Sequence, residues 1–551
     1  MFPYFLLLLS LIGVFYLREK LKYHRIKQYA AWPQLKPSLL WGHLKALREF
    51  IAQGERRRHI DIVLSEIRTH LGNPAAFILD LRPAQRTLCV ICSHEVAEQV
   101  SRSSKSFPFS MAKSPTARDL EPLLGFHSII TSEGEEWKAL RKRFNPGFAP
   151  QHLLTLLPCI LEKAQYFLRK LDKYAQSGEE FALEELCIDL TFDIIGAVTM
   201  DENLDAQLDN PGELTHLYRQ LTASFQVKSS MQWIQIDPRM AFYRRPLARR
   251  IDSLLKDHVR RKFAELKSGS TDTKSRSVLA LSLQDTDHLD ARTLNQTCDQ
   301  LKSFLFAGHD TTSIVLQWAF YELSRTPRAL GAIRRELDDL FGSDASPAAV
   351  RDLLLSARGE GLISRMSYVS AVIKETLRLY PPSATARYMP PGSGFYVQIG
   401  DGKTLCLDGM IVYNCQTIIQ RDEAVYGPTK DEFVPERWLD DLDTSMQTNS
   451  DEKRADERGR VPAGAWRPFE RGPRNCIGQE LANLEARVIL ACAVRRYDFG
   501  KVGLGEVVRD ASGEPILSPT GQYKVQSELY STQQVTAKPV DGMRMQVRLN
   551  P

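Results

Sequence analysis

The chain has too few cysteines, too irregularly spaced, for a disulfide framework. Its nine cysteines are odd in number and scattered over 551 residues, whereas disulfide-held domains are short and carry an even number. Cys89 and Cys92 have C-x-x-C spacing, but no second pair accompanies them. They lie in an apolar run that favours a core strand, so a reducing compartment is expected.

A strong charge imbalance and internal repeats are also missing. The net charge of +5 is small for this length, so composition gives no argument for a nucleic-acid partner, and none is predicted. Hydrophobic residues make up 43% of the chain and charged residues 25%, which is typical of a globular protein with a large core.

Residues 1–17 carry no charge and are mostly leucines and aromatics. As a helix they would be about 26 Å long, close to the roughly 27 Å core of an endoplasmic reticulum bilayer. Basic residues follow from Arg18 to Lys27, which places the N-terminus in the lumen and the body in the cytosol. A cleaved signal peptide is the alternative, but a basic n-region and a small-residue cleavage site are lacking. The pattern predicts a single-pass anchor in membrane lipid over residues 1–17.

A basic, proline-rich hinge is expected over residues 18–37, followed by one main domain over 38–551. Helical periodicity dominates that domain, and strand-like runs lie towards both ends of the chain. Residues 268–275 have the composition of a flexible linker. Residues 444–460 are polar, charged and without apolar periodicity, which predicts a disordered surface insertion.

One cysteine lies in a loop rich in glycine and arginine, Phe469-Glu470-Arg471-Gly472-Pro473-Arg474-Asn475-Cys476-Ile477-Gly478. An apolar helical run follows, and a helix N-terminus with nearby arginines is expected to lower the pKa of Cys476. Gly472 and Gly478 allow the backbone to approach a flat group closely. A lone cysteine is more often a small buried hydrophobe, so its surroundings decide between that and a nucleophile or metal ligand.

These surroundings match Phe-x-x-Gly-x-Arg-x-Cys-x-Gly, the haem-binding signature of the cytochromes P-450, at every fixed position. From about residue 30 to its end, the chain resembles that family. The resemblance implies a mainly α fold with a small β-rich lobe. It also implies haem b, with Cys476 as the axial ligand of the iron and Phe469, Arg474 and Gly478 as haem-binding residues.

A long helical run, 301–323, contains Ala307-Gly308-His309-Asp310-Thr311-Thr312. Glycine and paired threonines are poor helix formers, so a functional kink is expected; a strained core helix with a chance acid is the alternative. The run resembles the oxygen-binding helix of the family. The resemblance makes Ala307 and Gly308 haem contacts and Asp310 and Thr311 the catalytic acid–alcohol pair; His309 receives no role.

Glu375 and Arg378 are spaced so that they can pair on one helix face, and their apolar neighbours suggest burial, where such a pair must be fully satisfied. With Arg437 of Pro-Glu-Arg-Trp they resemble the family's structural triad behind the haem loop. One departure is Gln420, which stands where histidine usually precedes Arg421-Asp422.

Haem propionates need cations or hydrogen-bond donors. The resemblance assigns that role to Trp137 and Arg141, on a W-x-x-x-R helix, and to Arg387 and Arg474. Solvated surface charges are the alternative interpretation. A basic surface formed by Arg141, Lys142, Arg143, Arg467 and Arg471 is predicted to receive the electron donor.

The resemblance implies a haem-thiolate monooxygenase that uses O2 and electrons from an NADPH–cytochrome P-450 reductase. The overall pattern is most similar to fungal members that oxidise apolar polyketide- or terpenoid-like secondary metabolites. Substrate contacts are expected in Phe107 to Leu124, 382–385 and Tyr530 to Val535. One alternative is a reductase-independent isomerase or dehydratase, which typically lacks the Asp310–Thr311 pair. The other is a non-catalytic haem-binding protein.

Overall fold

The computed structural model describes residues 2–55, 57–225, 238–268, 276–400, 402–439 and 461–550. Helices dominate this part of the chain and surround one large hydrophobic core. The insertion predicted at 444–460 and residues 269–275 of the predicted linker lie outside the described residues.

The described α-helices follow the amphipathic segments of the sequence. In chain order they are α1 (Phe2–Lys22), α2 (Leu44–Ala52), α3 (Ile60–His70), α4 (His94–Ser101), α5 (Glu121–Leu124), α6 (Gly134–Phe144), α7 (Pro150–Leu154), α8 (Leu157–Ser177), α9 (Leu183–Met200), α10 (Glu213–Ala223), α11 (Pro238–Ser268), α12 (Val278–Leu283), α13 (Ala291–Arg325), α14 (Pro327–Phe341), α15 (Pro347–Leu355), α16 (Gly359–Arg365), α17 (Ser367–Leu379), α18 (Gln416–Ile419), α19 (Glu423–Tyr426) and α20 (Gln479–Ala493).

The long helix α13 crosses the centre of the molecule and is buried over most of its length. Asp290 caps its first turn by accepting the backbone N–H of Thr293 at 2.7 Å. Residues 307–312 belong to this helix, and the kink expected there stays a prediction. A Cβ on Gly308 would lie 2.5 Å from Ile195 Cδ1. Gly308 therefore allows α13 to pack closely against α9.

The strands form small sheets beside the helical core. They are β1 (Ala76–Leu79), β2 (Leu88–Ile91), β3 (Ala112–Lys113), β4 (Phe181–Ala182), β5 (Thr385–Tyr388), β6 (Tyr396–Gln398), β7 (Thr404–Cys406), β8 (Ile411–Asn414), β9 (Tyr497–Lys501), β10 (Ser531–Gln534), β11 (Thr536–Pro539) and β12 (Arg544–Leu549).

The largest sheet has the order β1-β2-β8-β5-β3, and its pairs are antiparallel except β2 with β8. A second sheet has the order β4-β12-β9, while β6–β7 and β10–β11 are two-stranded. Cys89, within β2, and Cys92 are fully buried, as their apolar run predicted.

The N-terminal helix α1 runs through residues 4–17 with exposed side chains. Among the described residues, no helix combines the length and hydropathy needed to cross a membrane, so the single-pass anchor predicted over residues 1–17 is not supported. The segment that follows packs against β1. Arg25 pairs with Asp80 at 2.8 Å, and the Ile78 backbone N–H donates to the Pro33 carbonyl at 3.0 Å.

Candidate active site

A cavity of about 320 Å³ separates α13 from the cysteine loop. The predicted residues that line it are Ala307, Gly308, Thr311, Phe469, Arg474, Cys476, Gly478, Trp137 and Arg141. The fold therefore brings together three segments that are far apart in the sequence.

The cysteine loop is held in shape by backbone contacts. Gly472 has φ +77°, and a Cβ there would lie 2.1 Å from the Ser101 carbonyl oxygen at the end of α4. This glycine therefore serves the packing of the loop on α4, and it is not among the described residues that line the cavity. The Cys476 backbone N–H donates to the Phe469 carbonyl at 2.9 Å, which closes the loop.

Cys476 lines the cavity and is exposed to it. Desolvation raises the pKa of this thiol above its usual value, while the Gly478 backbone N–H and the Arg141 charge act in the opposite direction. The net direction is opposite to the one predicted from the sequence. A coordinated metal deprotonates a thiol outright. The iron would therefore stabilise the thiolate form of Cys476, which the loop alone does not do.

Basic side chains gather on one side of the cavity. Arg474 stacks over Trp137, 4.9 Å from the ring centroid, and pairs with Glu133 at 2.6 Å; burial lowers its pKa to about 10. Arg141 donates to the Asn475 carbonyl at 2.6 Å and to its side-chain oxygen at 2.9 Å. Both arginines are thus held at the cavity by the loop and its neighbours.

Arg387 lies behind the cavity and is fully buried on β5. Its Nη1 donates to the Met111 carbonyl at 3.2 Å, but its Nε and Nη2 have no partner among the described residues. Buried polar atoms of this kind normally have partners. Two unsatisfied donors on a buried cation indicate that an anionic group belongs beside them.

Lys113 is a cavity residue within the predicted substrate segment Phe107 to Leu124, but sequence analysis did not single it out. It pairs in register with Arg387 across β3 and β5, and its Nζ donates to Thr385 Oγ1 at 2.7 Å. Burial, Arg387 and Arg474 all hold its pKa well below the usual value. A single lysine in a two-residue strand carries no local signal, so only the sheet register reveals it.

These residues fit a haem. The Cys476 thiol lies on one side of the cavity, and the side chains of α13 on the other side are small and apolar apart from hydroxyls. Buried cationic side chains with unsatisfied donors can bind an anion such as a carboxylate. Lys113, Arg387, Arg474 and Trp137 would hold the propionates, and Cys476 would hold the iron.

Of the predicted acid–alcohol pair, Thr311 faces the cavity and Asp310 does not. Thr311 lines the cavity and donates to the Ala307 carbonyl at 2.7 Å. Asp310 is buried, is not among the described residues that line the cavity, and pairs with Lys538 at 2.8 Å. His309 Nδ1 lies 2.6 Å from the Leu305 carbonyl oxygen, and the ring packs edge-on against Phe192.

Two acids of the described residues line the cavity, Glu470 of the cysteine loop and Glu485 on α20, and sequence analysis gave no role to Glu485. Burial raises the pKa of Glu485 well above the usual value, and a side-chain hydrogen bond with Thr312 only partly opposes this. Burial therefore favours the neutral, protonated form of this carboxyl group. The sequence signal for this residue was a single acid within the apolar run 481–490.

Glu375, Arg378 and Arg437 meet behind the cysteine loop. Arg378 donates to both Glu375 oxygens at 2.8 Å, and Arg437 donates to Glu375 Oε1 at 3.1 Å. Trp438 Nε1 also donates to Glu375, at 2.9 Å. The buried pair is thus satisfied by several partners, as such a pair requires.

The segments predicted to contact substrate contribute unequally. Residues 382–385 all line the cavity, whereas Lys113 is the contribution of Phe107 to Leu124. Within the described part of the chain, Tyr530 to Val535 supplies no lining residue. Ile129 and Ile130 line the cavity although no motif marked them.

The predicted docking surface is smaller than expected. Arg467 is fully buried and pairs with Glu470 at 2.7 Å, so its prediction as a surface residue is wrong. Arg143 turns inward and donates to the Ser282 carbonyl at 3.0 Å. Lys142 is exposed, and Arg471 is half-exposed beside Glu98.

Comparison with known proteins agrees with this geometry. The family model described as Cytochrome P450 matches residues 51–526. Cytochrome P450 monooxygenase acrF of Aspergillus aculeatus is 32% identical over 86% of this chain and 93% of its own length. Cytochrome P450 monooxygenase polC of Polytolypa hystricis is 30% identical over 84% of this chain and 80% of its own.

The fold has solved counterparts. The crystal structure of the cytochrome P450DA heme domain superposes with a TM-score of 0.70, at 18% identity, over 94% of this chain and 98% of that one. The mainly helical fold with small β-sheets is confirmed.

Proposed function

Because this chain belongs to the cytochrome P450 family of haem-thiolate monooxygenases, we propose that it oxidises an apolar organic substrate with electrons from an NADPH–cytochrome P450 reductase. The family requires haem, O2, a redox partner and an organic substrate. The proposal concerns which partner and which class of substrate.

The apolar wall of the cavity carries the proposal for the substrate. Its side chains come from α9, α13, α17 and the segment before α6, and include Ile129, Ile130, Ile195, Phe304, Val315, Ile373 and Leu377. A mostly apolar pocket with a few placed polar groups binds and orients apolar ligands. Similarity to two fungal monooxygenases supports a secondary-metabolite intermediate, polyketide- or terpenoid-like.

The residues of the chain divide the work as follows. When bound, haem supplies the activation of O2, and a cysteine thiolate ligand favours O–O cleavage. Lys113, Arg387, Arg474 and Trp137 would hold its carboxylates, and the apolar wall excludes water and orients the substrate. Thr311 places a hydroxyl in the cavity, where it can pass a proton.

Metabolites of a deletion strain should be compared with those of its parent, and the accumulated compound supplied to purified enzyme with reductase, NADPH and labelled O2. Product that carries the label and requires NADPH supports the proposal. Product formed without NADPH would indicate the isomerase or dehydratase. NADPH-dependent product without label would contradict oxygen insertion.

Membrane attachment in the endoplasmic reticulum is part of the proposal. Its support is the row of exposed apolar side chains on residues 4–17, such as Phe5, Leu8 and Phe15, which water solvates poorly. Removing residues 1–17 should release much of the protein from the membrane fraction with its haem content intact. Complete retention in the pellet would place the attachment elsewhere.

A further inference from the structure

Two side chains of strand β11 hold the carboxylate of Asp310. Lys538 Nζ lies 2.8 Å from Oδ1, and the Thr536 hydroxyl donates to Oδ2. Alternate residues of a strand point to the same face, so β11 presents both partners together. Both Asp310 oxygens are therefore occupied outside the cavity.

Charged neighbours keep this pair ionised. Burial raises the pKa of Asp310, but Lys538 and His309 outweigh it and leave the pKa below its usual value. Burial lowers the pKa of Lys538, but the charges of Asp310 and Glu184 outweigh burial, so the pKa lies above its usual value. Glu184 lies 3.4 Å from Lys538 Nζ, and the buried Tyr218 also lies near the carboxylate. An ionised carboxylate whose two oxygens are both engaged by Lys538 and Thr536 cannot donate a proton into the cavity.

The same strand is bonded to the cavity wall. The Ala537 backbone N–H, between Thr536 and Lys538, donates to the Pro382 carbonyl at 2.8 Å. Pro382 begins the segment 382–385, all of which lines the cavity. A ligand that displaces this segment would pull on the strand that holds Asp310.

We propose that Lys538 is a positioning residue that keeps Asp310 out of the cavity until a ligand beside 382–385 shifts β11, so that proton delivery follows cavity occupancy. The proposal rests on the monooxygenase function above. Without ligand, the clamp limits wasteful reduction of oxygen to water, 2 NADPH + 2 H⁺ + O2 → 2 NADP⁺ + 2 H2O.

Lys538→Met tests the clamp in the substrate-free holoenzyme, with Lys538→Arg as the charge-retaining control. Loss of the cation leaves a buried, unpaired carboxyl group, which takes up a proton. Infrared spectra at neutral pH should show a new C=O band of a protonated carboxylic acid in Lys538→Met. The band should be absent from Lys538→Arg and from Lys538→Met combined with Asp310→Asn. Absence of the band in folded Lys538→Met would overturn the proposal.

The second readout is the rate of NADPH consumption with reductase and without substrate. Lys538→Met should raise it several-fold, and Lys538→Arg should match the parent. An unchanged rate in Lys538→Met would refute the coupling even if the infrared band appears.

If Lys538→Met fails to fold, Thr536→Val is measured in the same way and should give smaller changes of the same sign; no change in either readout overturns the proposal. Failure of the parent enzyme to consume NADPH when substrate is supplied would instead refute the proposed function, and the infrared result would still stand.

Discussion

Gln420 accepts a hydrogen bond from the backbone N–H of Arg467 at 2.8 Å. Its side-chain nitrogen donates to the carbonyl oxygens of Leu377 and Arg378, both at 3.0 Å. One buried amide thus joins the C-terminal end of α17 to the start of the cysteine loop. The residue that departs from the family's usual histidine therefore connects the structural triad to the candidate haem site.

Gln420→Ala should destabilise the protein and weaken haem retention. It leaves a buried N–H and two carbonyls without this partner, and an unsatisfied buried group costs about 1–3 kcal/mol. Urea unfolding and haem content measure the effect. Gln151→Ala, at an exposed position of α7, is the control and should change neither. Equal midpoints for the two variants would remove Gln420 from the scaffold of the loop.

Cys476→Ser should abolish the red-shifted Soret band of the ferrous–carbonyl form, because a neutral hydroxyl cannot replace the electron donation of a thiolate. The measurement is the reduced, CO-treated spectrum of each purified variant. Cys406→Ser, at a half-buried cysteine on β7, should keep the band. Persistence of the band with full activity in Cys476→Ser would show that another residue binds the iron.

Thr311→Ala should leave haem binding intact and divert NADPH consumption to peroxide. A positioned proton donor contributes about 10²-fold or more, so the yield of product per NADPH should fall at least roughly tenfold. Ser313→Ala is the control, because Ser313 lies on the same helix and donates to the Asp310 carbonyl at 2.8 Å without lining the cavity. Equal loss of coupling in both variants would point to a helix defect.

Glu485→Gln should remove a pH dependence of stability. The pKa of Glu485 is raised in the folded protein, so the native state binds more protons than the unfolded state above the usual value of 4.5. Stability then falls as pH rises from there towards the folded pKa, by up to about 1.4 kcal/mol per pH unit. Unfolding free energies of the parent and variant should therefore diverge with rising pH in favour of Glu485→Gln. Parallel curves would mean that Glu485 is ionised in the folded protein.

Much of the site was predictable because its motifs are local. The cysteine loop, the face of α13 and the Glu375–Arg378 pair each lie within one short segment, where spacing decides which side chains share a face. The helical fold follows from the same periodicity. Such local patterns predict which side chains of one segment lie on the same face.

The remainder depends on contacts between distant segments. The partner of Asp310 lies 228 residues away on β11, and Lys113 reaches the cavity only through its register with Arg387. Arg467 was expected on the surface because arginines usually are, yet Glu470 and the end of α4 bury it. Neither spacing nor composition encodes these pairings, which arise from tertiary packing.

Lys142→Glu should slow the first electron transfer from the reductase at low salt. Lys142 is exposed beside a hollow of about 540 Å³ that also reaches Cys476, on the outer side of the loop. An acidic partner would be steered to this charge, and the effect should shrink as salt screens it. Stopped-flow reduction at several ionic strengths measures the rate, and peroxide-driven turnover, which needs no reductase, should be unchanged. Lys267→Glu makes the same charge change at an exposed site on α11 that lines neither cavity and should have little effect. If reduction and peroxide-driven turnover slow equally in Lys142→Glu, the haem site is damaged; if neither slows, the docking surface lies elsewhere.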